Sequence, residues 1–378
     1  MIRVLHVLGE LRPSGMEKMM TVAAPFWAAR EISCEIVSTG EQTGPYRDIL
    51  AAAGYPIIHV PFDRSHPFSH LLGMWRCFKS KRWNAVHIHT EQAMTYYAVL
   101  AYMAGIPVQV LTKHSVFPYT GALRRLRTLQ RRFIRFLGGR FVAISPSVRD
   151  DEMRRYGNPC RWIRNWIDVA AFEPAGEAMR LQRRRELQLP ADKPILLTAG
   201  NCAPVKNHKM LLHALADLKR ENTPFFYVHL GLEERENERA LARELGLADD
   251  CRFEGAVDDV SRYMQSADVF VQPSLTEGFG NAGLEALSCG LLAVFTRVPG
   301  LVDFGADFDS VIYTDVSRES LATGLRKALR HFADNRDASA RRHHEIARAL
   351  FAPEHGVAAY ADLYRLYITA KPSTVLFH

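Results

Sequence analysis

No run in this chain approaches the roughly eighteen consecutive apolar residues that a membrane-crossing helix needs. Cysteine is also sparse. The six at positions 34, 77, 160, 202, 251 and 289 are scattered and form no CxxC pair. Free thiols in a reducing compartment are therefore expected, with no disulfide framework and no zinc knot. No helix-turn-helix, zinc-finger or RNP pattern accompanies the basic residues, so nucleic acid is not an expected partner. The opening run Ile2-Arg3-Val4-Leu5-His6-Val7-Leu8 leads straight into a strand pattern and lacks a signal peptide's plan, so the expected location is cytoplasmic.

What remains is an ordinary globular composition. The chain has 378 residues, 48% hydrophobic and 24% charged, enough for two domains with separate cores. The formal net charge of +7 favours anionic partners, with nucleotide diphosphates and anionic membrane surfaces as the candidates.

Short apolar runs alternate with helical stretches. Val4 to Leu8, Cys34 to Ser38, Ile57 to Val60, Ala85 to His89, Val108 to Thr112 and Phe141 to Ile144 read as successive strands, with helices such as Glu17–Arg30 and Ala93–Ala104 between them. After an arginine-rich interval at residues 181–186 the rhythm restarts at Ile195 to Ala199. It continues through Phe225 to Leu230, Cys251 to Glu254, Val269 to Val271, Leu292 to Phe295 and Val311 to Tyr313. The pattern predicts an α/β protein of two parallel-sheet domains, with a boundary near residues 166–190 and a cleft between them. Tyr360, Leu363, Tyr364 and Tyr367 mark a helical stripe after Pro353, which on periodicity alone completes a core.

Two segments of the second half carry the chemistry. Gly200 ends the first strand, and Asn201-Cys202-Ala203-Pro204-Val205-Lys206-Asn207-His208 leads into a helix. A lysine on such a loop can reach phosphate oxygens, and helix-start amides would add to the field, although an isolated loop lysine is more often simply solvated. Later, Pro273-Ser274-Leu275-Thr276-Glu277-Gly278-Phe279-Gly280-Asn281-Ala282-Gly283-Leu284-Glu285 combines glycines that allow close approach to the backbone with two acids. Carboxylates suit the hydroxyls of a sugar or ribose, while on spacing alone a capping acid and a helix-surface acid are the commoner reading.

At this segment the sequence resembles glycosyltransferase family 4, whose hallmark is two glutamates separated by seven residues after a Pro-Ser. Phe253, Gly255, Tyr263, Ala267-Asp268-Val269, Glu285-Ala286 and Gly290 extend the resemblance. So do Gly200 to Lys206-Asn207-His208, Ala143-Ile144-Ser145, and Asn165 with Asp168 and Phe172. The resemblance implies the GT-B fold, two Rossmann-like domains facing an interdomain cleft. It implies an N-terminal acceptor-binding domain over 1–170, a nucleotide-sugar domain over 190–352, and a last helix over 353–370 crossing back to the first domain.

It also implies roles. Glu285 would hold the ribose hydroxyls, Glu277 would face the transferred sugar, and Lys206 would neutralise the diphosphate. Phe253 and its neighbours would line the base pocket, and Gly200, Asn201, Gly280, Asn281 and Ala282 would line the donor site. Asn201 stands where many relatives carry an arginine and supplies no positive charge. In the first domain Pro13-Ser14-Gly15-Met16-Glu17 resembles the family's glycine-rich loop, with Gly15 near the diphosphate or acceptor, while a plain strand-to-helix turn is the bland reading. His114 would lie near the diphosphate and transferred sugar.

His87 and His89 face one side of a strand, and with His114 they invite a zinc site, but no further ligand falls at metal-binding spacing. No metal is expected in the chemistry and no cofactor beyond the donor. The implied reaction is retaining transfer from a nucleotide sugar, UDP-linked rather than GDP-mannose, to a cell-surface glycan or lipid-linked acceptor. A soluble small-molecule acceptor and a noncatalytic sugar-nucleotide-binding protein are the alternatives. From Arg124 to Arg140 seven arginines and no acid surround Leu126, Leu129, Phe133 and Leu137. That helix either lies on anionic lipid, peripheral to the inner face of the cytoplasmic membrane, or covers a sheet and shows a basic outer face.

Overall fold

The computed structural model describes residues 1–63, 65–233, 237–331 and 336–369. Residue 370, the expected end of the last helix, lies outside them. The chain divides into two compact units, one of Met1–Ile167 together with the helix Pro353–Thr369, the other of Asp168–Ala352.

The first unit contains β1 (Ile2–Leu8), β2 (Ile32–Ser38), β3 (Ile57–His59), β4 (Ala85–Ile88), β5 (Val108–Lys113), β6 (Gly139–Ala143) and β7 (Arg161–Trp162). They form one parallel sheet in the order β3-β2-β1-β4-β5-β6-β7. β1 is buried from Val4 onward, as expected of a parallel strand covered on both faces. The helix Pro353–Thr369 buries Tyr360, Leu363 and Tyr364 in this unit's core, beside Trp27 and Trp166.

The second unit contains β8 (Ile195–Ala199), β9 (Phe226–Leu230), β10 (Cys251–Gly255), β11 (Val269–Gln272), β12 (Leu292–Thr296) and β13 (Val311–Thr314). Their order is β10-β9-β8-β11-β12-β13, again parallel throughout. The helix His208–Arg220 packs Leu211, Leu212 and Leu215 against this sheet's core.

Every apolar run singled out in the sequence is a strand. The two-residue β7 carried no signal because Arg161–Trp162 is too short to show a period. The helix expected at Glu17–Arg30 spans Gly15–Ala28, since the Ser14 side chain accepts from the Met16 amide and caps it two residues earlier.

The basic helix requires a larger correction. It spans Gly121–Phe136, and Arg140 belongs to β6. Its inner face is not the leucine stripe. Arg131 is fully buried, paired with Glu152 at 2.7 Å and Glu91 at 3.0 Å, while Leu126, Leu129 and Phe133 stay exposed. A guanidinium goes inside here because two acids on neighbouring segments satisfy it.

Candidate functional site

In each sheet the strand order reverses once, between β1 and β4 and between β8 and β11. Loops leaving the carboxyl ends of strands at such a reversal splay apart and leave room for a ligand. In the second unit those loops are residues 200–207 and 273–280, the two segments that the sequence singled out.

The loops are stitched together. The Leu275 amide donates to Val205 O at 2.8 Å, and Asn207 Nδ2 donates to Pro273 O at 3.2 Å. Lys206 Nζ meets Glu277 Oε1 at 2.6 Å, so the lysine and the first motif glutamate form an ion pair. Gln272 Nε2 at 2.8 Å and Ser274 Oγ at 2.7 Å donate to that same Oε1. Oε2 stays outside the network, available to accept from a hydroxyl. Burial alone would raise the Glu277 pKa, but the Lys206 charge and the three donors outweigh it and hold the carboxyl below its ordinary range.

Gly200 adopts φ +147°, and the Lys206 stem runs past it, with Cε 3.6 Å from where a Cβ would stand. Gly280 adopts φ +90° and caps the helix Asn281–Ser288, which brings Asn281 and Ala282 to the helix start and Glu285 one turn in, nearly buried. A Cβ on Gly280 would stand 2.7 Å from Leu301 Cδ2, and one on Gly283 would stand 2.8 Å from Phe295 Cζ. Both glycines let protein side chains pack closely. The Asn201 side chain accepts from the Leu232 amide at 3.0 Å, so this residue braces a neighbouring loop. Phe253 on β10 lies under Arg239, whose guanidinium is 5.7 Å from the ring and donates to Phe253 O.

In the first unit Gly15 opens the first helix on the surface, and Glu17 turns inward to hydrogen-bond with Ser14. At the reversal of this sheet His6 on β1 pairs in register with His87 on β4. His6 Nδ1 lies 3.1 Å from His89 Nε2, and His89 Nδ1 lies 2.9 Å from His114 Nε2. His87 is occupied elsewhere, by Tyr364 Oη at 2.7 Å and Thr112 Oγ1 at 2.6 Å. The three-histidine cluster is thus completed by His6, which the sequence reading passed over, rather than by His114. Both nitrogens of His87 and of His89 already have hydrogen-bond partners, which argues against a metal there.

The chain from His6 through His89 to His114 fixes a tautomer. Burial pushes His6 down to about 3, and burial with the neighbouring Lys113 charge pushes His114 down to about 4; burial first, then its histidine neighbours, holds His89 well below its ordinary value. All three rings are neutral at pH 7, so each holds one proton. His6 Nε2 is buried without a partner. An orphaned acceptor costs less than an orphaned N–H. His6 therefore donates to His89, His89 donates to His114, and His114 presents Nδ1–H as a donor.

Behind His114, Lys113 pairs with Glu91 inside the unit, and burial beside Arg131 brings its pKa down to about 7. Nothing in the spacing of Lys113, Glu91, Arg131 and Glu152 announced this network.

Residues 13–171 match the family profile described as Glycosyltransferase Family 4, and residues 179–343 match the one described as Glycosyl transferases group 1. Among similar proteins, the putative glycosyltransferase EpsF of Bacillus subtilis is 27% identical over 78% of this chain and 79% of its own length. The lipopolysaccharide core biosynthesis glycosyltransferase LpsE of Rhizobium meliloti is 32% identical, over 56% of this chain and 60% of its own. Among solved structures, Anabaena HepE in complex with UDP aligns over 97% of this chain and 100% of that one, with a TM-score of 0.79 and 17% identity. That likeness establishes the fold. With one profile on each unit and the GT-B architecture throughout, the chain belongs to glycosyltransferase family 4.

Proposed function

We propose that this protein transfers a hexose or N-acetylhexosamine from a UDP-sugar to a hydroxyl of a cell-surface glycan or lipid-linked acceptor. The anomeric configuration is retained and no metal takes part in the chemistry. The observation that carries this reading is the Lys206–Glu277 pair on two stitched loops at a sheet reversal. A diphosphate drawing on Lys206 competes with Glu277 for one ammonium. Donor binding therefore shifts the lysine toward phosphate and turns Glu277 toward the sugar hydroxyls.

Bond cleavage needs stabilisation of the departing nucleoside diphosphate, which Lys206 and the start of the helix Asn281–Ser288 supply. Glu285 holds the ribose hydroxyls. Glu277 is already committed through Oε1 to three donors, which suits a hydroxyl-gripping acid better than a nucleophile. We therefore favour same-face attack, with the leaving phosphate oxygen taking the acceptor proton. The solved HepE complex with UDP supports a uridine donor by analogy, and the Rhizobium relative's name supports a glycan acceptor.

No helix among the described residues is long and apolar enough to cross a membrane. The helix Gly121–Phe136 instead presents Leu126, Leu129, Phe133 and Phe136 outward. Beside them a groove of about 770 Å³ is lined by Arg124, Arg125, Arg132, Arg154 and Arg155. An exposed apolar stripe flanked by arginines fits an anionic lipid surface.

The test is transfer from UDP-sugars by Lys206→Ala. Losing one preorganised charge at the leaving group lowers turnover by about 10²–10³-fold. Near-native turnover would remove the lysine from the mechanism.

A further inference from the structure

The same loop that carries Lys206 has a second cluster beneath it. Cys202 and His208 stand on either side of Lys206, His229 lies on β9, and Glu238 begins the helix Glu238–Glu244. All four are buried, with relative exposures of 0%, 3%, 0% and 0%. Ligating atoms of Cys202, His208 and His229 all lie within 4.8 Å of one another. Cys202 Sγ is 3.4 Å from His229 Nε2, and His208 Nδ1 is 3.6 Å from Glu238 Oε1.

Glu238 is the unusual member. Neither of its carboxylate oxygens, nor His208 Nδ1, makes a hydrogen bond of full geometry, and its polar neighbours are His208 and Cys202. A buried carboxylate in that condition is costly unless something else satisfies it. His208 Nδ1 faces it at 3.6 Å, too far for a hydrogen bond, and leaves the second oxygen bare.

We propose that Cys202, His208, His229 and Glu238 form a tetrahedral site for a zinc-class divalent cation that clamps both ends of the Lys206 loop. The edges fit. With metal–sulfur bonds of about 2.3 Å and metal–nitrogen or metal–oxygen bonds of about 2.0 Å, sulfur–nitrogen and nitrogen–oxygen edges come to roughly 3.3–3.6 Å. The outer partners fit as well. His229 Nδ1 lies 3.1 Å from Thr198 Oγ1 and 3.2 Å from Tyr227 Oη, which turns Nε2 inward as a lone pair. A thiolate, a carboxylate and two neutral imidazoles around a divalent ion sum to zero charge in the interior. A soft sulfur with two imidazoles selects zinc or cobalt over magnesium or calcium.

The site is structural, holding the loop in place, so it leaves the metal-free sugar transfer as argued. Sequence spacing gave no warning, because the four ligands come from the loop, the start of the helix His208–Arg220, β9 and the helix Glu238–Glu244.

The probe is Co²⁺, titrated to one equivalent into the full-length reduced protein after chelator treatment. The expected result is a thiolate-to-cobalt charge-transfer band with intense tetrahedral d–d absorption, displaced by one equivalent of Zn²⁺. Cys202→Ser loses the charge-transfer band, and Cys251→Ser, which removes a partly buried thiol on β10, keeps it. Glu238→Gln weakens Zn²⁺ binding at least about tenfold. Absence of the charge-transfer band in the wild-type protein overturns the proposal without recourse to any variant, and so does a band that survives Cys202→Ser. Either failure leaves the Lys206 turnover test standing on its own.

Discussion

At the residue scale, protons and charges are held in fixed places. His114 is neutral at pH 7, and the ordering His6, His89, His114 puts its proton on Nδ1. Long-range ¹H–¹⁵N correlation spectra distinguish the tautomers. The expected pattern is Nδ1-protonated His114, and an Nε2-protonated ring would contradict the relay. Lys206, Glu277 and Glu285 stood out only through the resemblance to glycosyltransferase family 4, because residue type and spacing alone read more readily as a solvated lysine, a capping acid and a helix-surface acid. His6 was not, because one histidine in an apolar strand resembles any core histidine until β4 lies in register beside β1. The Lys206–Glu277 pair was equally hidden, since each residue alone suggested a different part of the ligand.

At the scale of elements, alternating apolar runs located the strands because parallel strands covered on both faces read as continuous hydrophobic stretches. The helix Gly121–Phe136 shows the limit of periodicity. A stripe of Leu126, Leu129 and Phe133 has the spacing of a core face, yet Arg131 takes the interior because Glu91 and Glu152 meet it there. Only tertiary partners reveal that inversion. The exposed stripe predicts binding to anionic vesicles that weakens with salt. Arg125→Glu with Arg132→Glu exchanges attraction for repulsion, at about 1 kcal/mol or more per position near the surface. Co-sedimentation with vesicles containing anionic lipid measures it. Unchanged binding by the double variant would remove this helix from the membrane reading.

At the scale of the whole molecule, the first unit stores four histidines in neutral form. Burial lowers His6 to about 3 and His114 to about 4, and it also lowers His87 and His89 well below 6.5. The unfolded chain takes up these protons near pH 6.5 while the folded chain does not, so stability is full above that pH. It is lost as pH falls through 6.5 toward 4. Each histidine adds a slope of about 1.4 kcal/mol per pH unit once its unfolded form is protonated. Denaturation midpoints between pH 7.5 and 5 should fall steeply, and a flat profile would contradict the buried relay.

The donor site of the second unit is the claim on which the function depends. Thermal unfolding with and without UDP tests it most directly, because a ligand that binds only the folded state raises the midpoint. The expected result is a clear rise for the wild-type protein, larger than with GDP, and a much smaller one for Glu285→Ala. No rise with any nucleoside diphosphate, or an equal rise in Glu285→Ala, would contradict it.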